Sequence, residues 1–231
     1  MNSNNNIIPE LILDPIRVLK DITSTAKNNR RILISIAGVP GSGKTTLADE
    51  LKRDYLAATS NDPNSVAVLS IDGFHKTRDE LQKMKNPEEA FRRRGAPWTF
   101  DGIACGKRLH DVKNSSDYEI KWPSFDHALK DPIPDSIVIS PLCKLVIVEG
   151  IWTLHRSDGF ETLEGIFDQN WYLDTPREVA NERLAKRHML AWNLTREEAD
   201  ERIAVNDLIN GNLVEAGRLR ADGLILGAIR S

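Results

Sequence analysis

A parallel α/β sheet covered by helices on both faces is the fold class this chain predicts, and three observations predict it. Short apolar, β-branched runs at 31–37, 66–71, 144–148, 170–173 and 221–229 are separated by longer stretches, several of helical period. The second, third and fourth runs end directly on an acid: Asp72, Glu149 and Asp174. The first run passes straight into a glycine-rich turn that opens a helix, Gly38-Val-Pro-Gly-Ser-Gly-Lys-Thr45. Strands that are apolar throughout are buried on both faces, and helical crossovers between parallel strands supply that cover.

Composition sets the outer bounds. The chain has 231 residues, 40% hydrophobic and 28% charged, which suits one soluble domain with a substantial core. A net charge of −3 argues against a nucleic-acid binder, which carries a basic excess. Cys105 and Cys143 stand in no metal-ligand spacing and are too few for a disulfide framework, so a reducing compartment is expected. The start lacks the pattern of a secretory leader, and no apolar run nears the roughly 20 residues that span a bilayer. The expectation is a cytoplasmic protein with a small-molecule partner, without nucleic acid or membrane; a homo-oligomer is allowed.

In chain order, residues 1–6 read as a disordered tail and Ile8–Lys27 as a surface helix closed by Asn28-Asn29, so that 1–28 precede the main domain, 29–231. A buried strand (31–37), the glycine-rich turn and a helix (45–56) come next, then a turn at 62–65 and a second strand (66–71). Residues 73–143, rich in proline, read as helices and loops around a substrate site, with a small hairpin near Tyr118–Trp122. After them stand strands at 144–148 and 170–173, a charged helix from about Pro176 to Leu190 and another from Thr195. Ala221–Ile229 reads as the last strand.

The glycine-rich turn carries the clearest chemistry. Successive amides of such a turn point inward and form an anion nest, and the helix after it adds its positive end. Gly38, Gly41 and Gly43 keep side chains out of the way, while Val39, Pro40, Ser42 and Thr46 complete the cradle. Lys44 brings a charge to the β- and γ-phosphates, and the Thr45 hydroxyl is placed to ligate Mg²⁺. A bound nucleoside triphosphate is the direct reading.

Ligands of open α/β sheets gather beyond the carboxyl ends of the strands, which brings Asp72, Glu149 and Asp174 toward the turn. A carboxylate there holds Mg²⁺ or accepts a proton from an attacking hydroxyl. Asp72 and Glu149 are read as functional, Glu149 toward metal or substrate, and Asp174 as a cap. In the middle segment, Ile71-Asp-Gly-Phe-His75 sets Phe74 and His75 beside that acid. Arg92-Arg-Arg-Gly-Ala-Pro-Trp-Thr-Phe-Asp101 offers guanidinium forks and rings, with Arg94, Phe100 and Asp101 as candidate substrate contacts. Asp126 either binds sugar hydroxyls or caps the turn after it. Arg183 and Arg187 share one face of the basic helix, where they clamp a transferring phosphoryl group or pair with Glu178 and Glu182 on a plain surface.

The motifs Gly38–Thr46, Ile71–His75, Arg94–Asp101, Pro123–Asp126, Val148–Gly150 and Arg183–His188, together with Asn206-Asp207 and Asn210, resemble the uridine kinase and phosphoribulokinase-like group of P-loop kinases. The likeness is nearest to a bacterial and fungal subgroup of nucleoside or sugar kinase-like proteins. It implies a P-loop NTPase three-layer sandwich with a five-stranded parallel sheet and a helical lid over 177–212. It implies ATP and Mg²⁺ as co-substrates, and phosphorylation of a hydroxyl on a small metabolite such as a nucleoside, sugar or vitamin. Asp72 matches the group's catalytic base. Gly73-Phe74-His75 stands where uridine kinases have an aromatic pair, which is nearer to pantothenate kinase-like relatives. The alternative reading is a P-loop ATPase with a regulatory or assembly role and no small acceptor.

Overall fold

The computed structural model describes residues 9–26, 30–59, 62–115 and 117–227. The expected tail, the Asn28-Asn29 stop and the end of the last run lie outside them. The sheet is built on β2 (Ile32–Ala37), whose six residues are all buried. β6 (Leu145–Glu149) and β7 (Gln169–Asp174) flank it in parallel, with Ile34 opposite Ile147 and Ile36 opposite Trp171. β3 (Val66–Ser70) continues the sheet beyond β6, and β8 (Gly223–Leu226) beyond β7.

The expected five strands become six, in the order β1-β8-β7-β2-β6-β3. The extra one, β1 (Glu10–Leu11), pairs with β8 inside the segment read as helix. Helix α1 spans only Pro15–Thr25, because Asp14 caps the amide of Arg17 and Pro15 sits at its first position. Leu13, whose spacing extended the helical reading upstream, is 85% exposed.

Side chains alternate across β2, and the two faces carry different helices. Ile32, Ile34 and Ile36 pack with Leu19 of α1 and with Ala48, Leu51 and Tyr55 of α2 (Lys44–Ala58). Tyr55 hydroxyl donates to Thr23 Oγ1 at 2.9 Å and ties those two helices together. Leu33 and Ala37 face the other way, toward Cys105, Leu109 and Val112 of α5 (Gly102–Asn114). Each fully buried aliphatic residue here contributes about 1.5–3 kcal/mol.

The middle segment is more regular than its prolines suggest. It holds α3 (Arg78–Gln82), opened by a Thr77/Glu80 capping box, and α4 (Pro87–Arg92), capped at its start by Asn86. The expected small hairpin is a long one, β4 (Ile120–Asp126) against β5 (Asp131–Ile139), with a register shift between Trp122 and Ser124. Trp122 Nε1 donates to the Ser70 carbonyl at 2.9 Å and pins this hairpin to the end of β3.

Helix α6 (Arg177–Trp192) and α7 (Arg196–Arg202) form the expected pair and share a small core of Leu184, Ala185, Ala199 and Ile203. The chain runs on through a π-helical turn at Ile203–Asp207 into α8 (Leu208–Ala216). Among the described residues no helix is long and apolar enough to cross a membrane.

Candidate active site

The phosphate loop leaves β2 and enters α2 at Lys44, so the first amides of that helix face the loop without intrahelical partners. Gly43 adopts φ +97°, a conformation that favours glycine. Gly41 (φ +78°) answers to a neighbour as well: a Cβ there would lie 2.3 Å from the Ala180 carbonyl oxygen of α6. The loop is thus packed against the helix above it. Thr175 Oγ1 and Arg183 Nη1 both donate to the Ser42 carbonyl, at 3.0 and 3.2 Å.

Lys44 is 8% exposed, and its ammonium turns back onto the Val39 carbonyl at 3.1 Å and Ser42 Oγ at 3.4 Å. Burial brings its pKa down to about 8, against the pull of Glu149 and Asp72. Thr45 Oγ1 donates to Glu149 Oε1 at 3.3 Å across the sheet. Glu149, 6% exposed, is raised above the ordinary carboxylate range by burial and by the neighbouring charge of Asp72. Ser70 lies opposite Glu149 in the β3–β6 register, bonds its carboxylate, and accepts from the Asp72 amide at 3.2 Å. Lys44, Thr45, Asp72 and Glu149 therefore gather at the carboxyl ends of β2, β3 and β6.

The remaining candidates divide. His75 joins the cluster: its Nδ1 bonds the Asp72 carbonyl at 2.8 Å, and burial lowers its pKa. Its ring lies 3.9 Å from that of Phe100 and 4.8 Å from that of Phe125. Phe100 is itself 2% exposed and serves as backing for His75. Phe74 turns away into the core, edge-on to Trp122 at 4.8 Å. Asp101 caps α5 by accepting from the Ala104 amide at 2.9 Å. Asp126 accepts from the amides of Ala128 and Leu129 at the hairpin tip, the capping alternative. Arg94 clasps the Lys76 and Lys130 carbonyls and Asp131, which joins the start of α3 to the hairpin. Asp174 meets Arg218 at 2.5 Å and stays out of the cluster.

On α6, Arg183 reaches the loop, and Arg187 lies close enough to Lys44 to oppose its charge. Glu182 pairs with Lys186 and Arg196, away from both. Two motifs visible in the chain meet here in a way that their spacing does not show. Arg93, the middle of three successive arginines, is 8% exposed and donates to the Val205 carbonyl at 2.7 Å and to Asn210 Oδ1 at 3.2 Å. Asn206 Nδ2 donates to the Arg94 carbonyl at 3.1 Å. The π-helical turn exposes the groups that make these bonds, and so stitches the helical cover to the middle segment.

Comparison with known proteins bears on the family and the fold. The model of the Phosphoribulokinase / Uridine kinase family matches residues 33–203. A Schizosaccharomyces pombe protein named "Putative uridine kinase" is 36% identical over 205 residues, 88% of this chain and 86% of its own. The "ATP-dependent kinase-like protein notR'" of Aspergillus versicolor is 34% identical over 161 residues, 68% of this chain and 94% of its own. Among solved structures, a "putative fructose transport system kinase" from Silicibacter sp. TM1040 superposes with a TM-score of 0.78 at 30% identity, covering 91% of this chain and 97% of that one.

Proposed function

The chain belongs to the phosphoribulokinase/uridine kinase family of P-loop kinases, and on that footing we propose that it transfers the γ-phosphoryl group of ATP to a hydroxyl of a small metabolite. The observation that carries this reading is the meeting of Lys44, Thr45, Asp72 and Glu149 beside the glycine-rich loop that opens α2. A loop that only hydrolysed its nucleotide would have no need of the hairpin and helices that wall in the Asp72 side.

The Thr45 hydroxyl and Glu149 carboxylate are a hard-oxygen pair of the kind Mg²⁺ takes alongside phosphate. Bound there, the ion supplies charge neutralisation for the phosphates. Lys44, released from the Val39 carbonyl, holds the β- and γ-phosphate oxygens, and the amides at 41–46 hold the rest. Arg183 and Arg187 close from α6 and oppose the charge that develops on the moving group. Asp72 accepts the proton of the attacking hydroxyl, and Ser70 fixes the backbone that aims it. His75, buffered by Phe100 and Phe125, sets the position of the acceptor beside Asp72.

The test is incubation of the purified protein with Mg²⁺, ATP labelled on the γ-phosphate and a metabolite extract, with mass spectrometry of labelled products. A labelled phosphate ester, lost in Lys44→Ala, is expected. ATP hydrolysis that no extract fraction accelerates would instead favour an ATPase.

A further inference from the structure

The Asp72 carboxylate receives no hydrogen bond among the described residues, so its aim is set through its backbone. That backbone is the 3₁₀ turn Ile71–Phe74, opened by Ser70. The Asp72 amide donates to Ser70 Oγ at 3.2 Å, and the Asp72 carbonyl accepts from the His75 amide at 3.1 Å. One short turn is a marginal structure unless something outside supports it.

Strand β4 supplies that support by lying along the turn. Trp122 is fully buried; its Nε1 donates to the Ser70 carbonyl at 2.9 Å, and its ring meets Phe74 edge-on at 4.8 Å. A Cβ on Gly73 would lie 2.2 Å from the Pro123 carbonyl oxygen, so backbone meets backbone there and only glycine fits. The Phe125 ring stands 4.8 Å from that of His75. Ser70, Gly73, Phe74 and His75 are thus all met by residues of one strand. Pro123 also sits where β4 loses its register with β5, between Trp122 and Ser124. An irregularity of this kind re-aims a strand, and here it coincides with the closest approach to the turn that carries Asp72.

We propose that Trp122 is a positioning residue for Asp72: β4 and the turn Ile71–Phe74 form one rigid unit, in which the hairpin sets the direction of the carboxylate. This rests on the kinase reading above for what the carboxylate does. Packing places the base without a bond to its own oxygens, which leaves them uncommitted for the hydroxyl of the acceptor. A small displacement of the unit lowers transfer while the triphosphate stays bound, because the phosphate loop lies on β2 and α2, outside it.

Trp122→Phe tests this, since it keeps an aromatic ring against Phe74 and removes the Nε1 donor. In the nucleotide-free full chain, amide hydrogen exchange at Asp72 and His75 should quicken about tenfold or more, as for one lost hydrogen bond. The Gly150 amide, bonded to the Ile36 carbonyl on the central strand, should keep its rate. With ATP, Mg²⁺ and the metabolite extract, labelled ester should form about 10–100-fold more slowly, while the Kd for a non-hydrolysable ATP analogue stays within about threefold. In an Asp72→Asn background the same substitution should cause no further loss of transfer, because both changes act through one group. Gly73→Ala, whose Cβ strikes the Pro123 carbonyl, should give the same pattern and carries the test if Trp122→Phe does not fold. Unchanged exchange at Asp72 and His75, or losses that multiply in the Asp72→Asn background, overturns the positioning role. The exchange response without labelled ester from the wild type supports the unit and counts against the kinase.

Discussion

Thr45 Oγ1 and Glu149 Oε1 meet at 3.3 Å although 104 residues separate them in the chain. Parallel pairing of β2 with β6 brings the two strand ends level, and the loop then delivers the hydroxyl to the carboxylate. Glu149→Gln keeps the shape and removes the charge. The Mg²⁺ concentration for half-maximal turnover should rise at least about tenfold, with kcat down on the order of a hundredfold. Turnover measured against Mg²⁺ at saturating ATP checks this, and an unchanged Mg²⁺ dependence would exclude Glu149 from the metal.

Asp72→Asn retains size and polarity without the capacity to take a proton. Phosphoryl transfer should fall by about 10²–10⁴, while the Kd for ATP stays within about threefold. Isothermal titration and a product assay on the same preparation read both numbers. Equal losses in both would make Asp72 a binding residue.

Lys44 gives a pH signature. Burial lowers its pKa from 10.5 to about 8, so between those values the unfolded chain holds a proton that the folded one has released. Folding is therefore favoured by rising pH across this window, and the contribution is lost as pH falls through about 8. Each unit of displacement corresponds to about 1.4 kcal/mol. Urea unfolding of wild type and Lys44→Met at pH 7.5 and 9.5 should show the difference shifting toward wild type at the higher pH. ATP affinity should move the opposite way and decline above about pH 8.

Arg31 is fully buried, and its guanidinium donates to the carbonyls of Val112, Ser115, Ser140 and Cys143. It is the knot that ties the end of α5 and the loop before β6 to the root of β2. Arg31→Met should lower stability by about 3–5 kcal/mol, since buried carbonyls lose their donors. Denaturant midpoints check it, and activity of the still-folded fraction at low temperature should be near normal.

The parts legible in the chain are those whose cause is local. A run such as Ile32–Ala37 is buried on both faces and says so in its composition, and the loop at 38–45 is defined by its own glycines. The two-residue β1 was hidden because Leu11, Leu13 and Ile16 happen to share a helical spacing, while Pro15 marks where the helix can begin. Phe74 shows a second limit. A compact motif places five residues together, yet the 3₁₀ turn at Ile71–Phe74 sends one side chain to the core and its neighbour His75 to the cleft. Arg93 and Asn206 stand in motifs that the chain displays, yet that their segments meet follows only from tertiary folding.

The bonds from Arg93 to Val205 and Asn210, and from Asn206 to Arg94, also bear on engineering. On the reading proposed above, residues 73–143 supply the acceptor contacts, and a graft of that segment from a relative is a way to transplant specificity. Such a chimera would break three bonds that the helical cover makes to its guest. A graft that carries positions 205–210 along with the middle segment keeps both sides of these three bonds from one parent, while the bonds of Trp122 to Ser70 and of Arg31 to Val112, Ser115 and Ser140 still cross its edges.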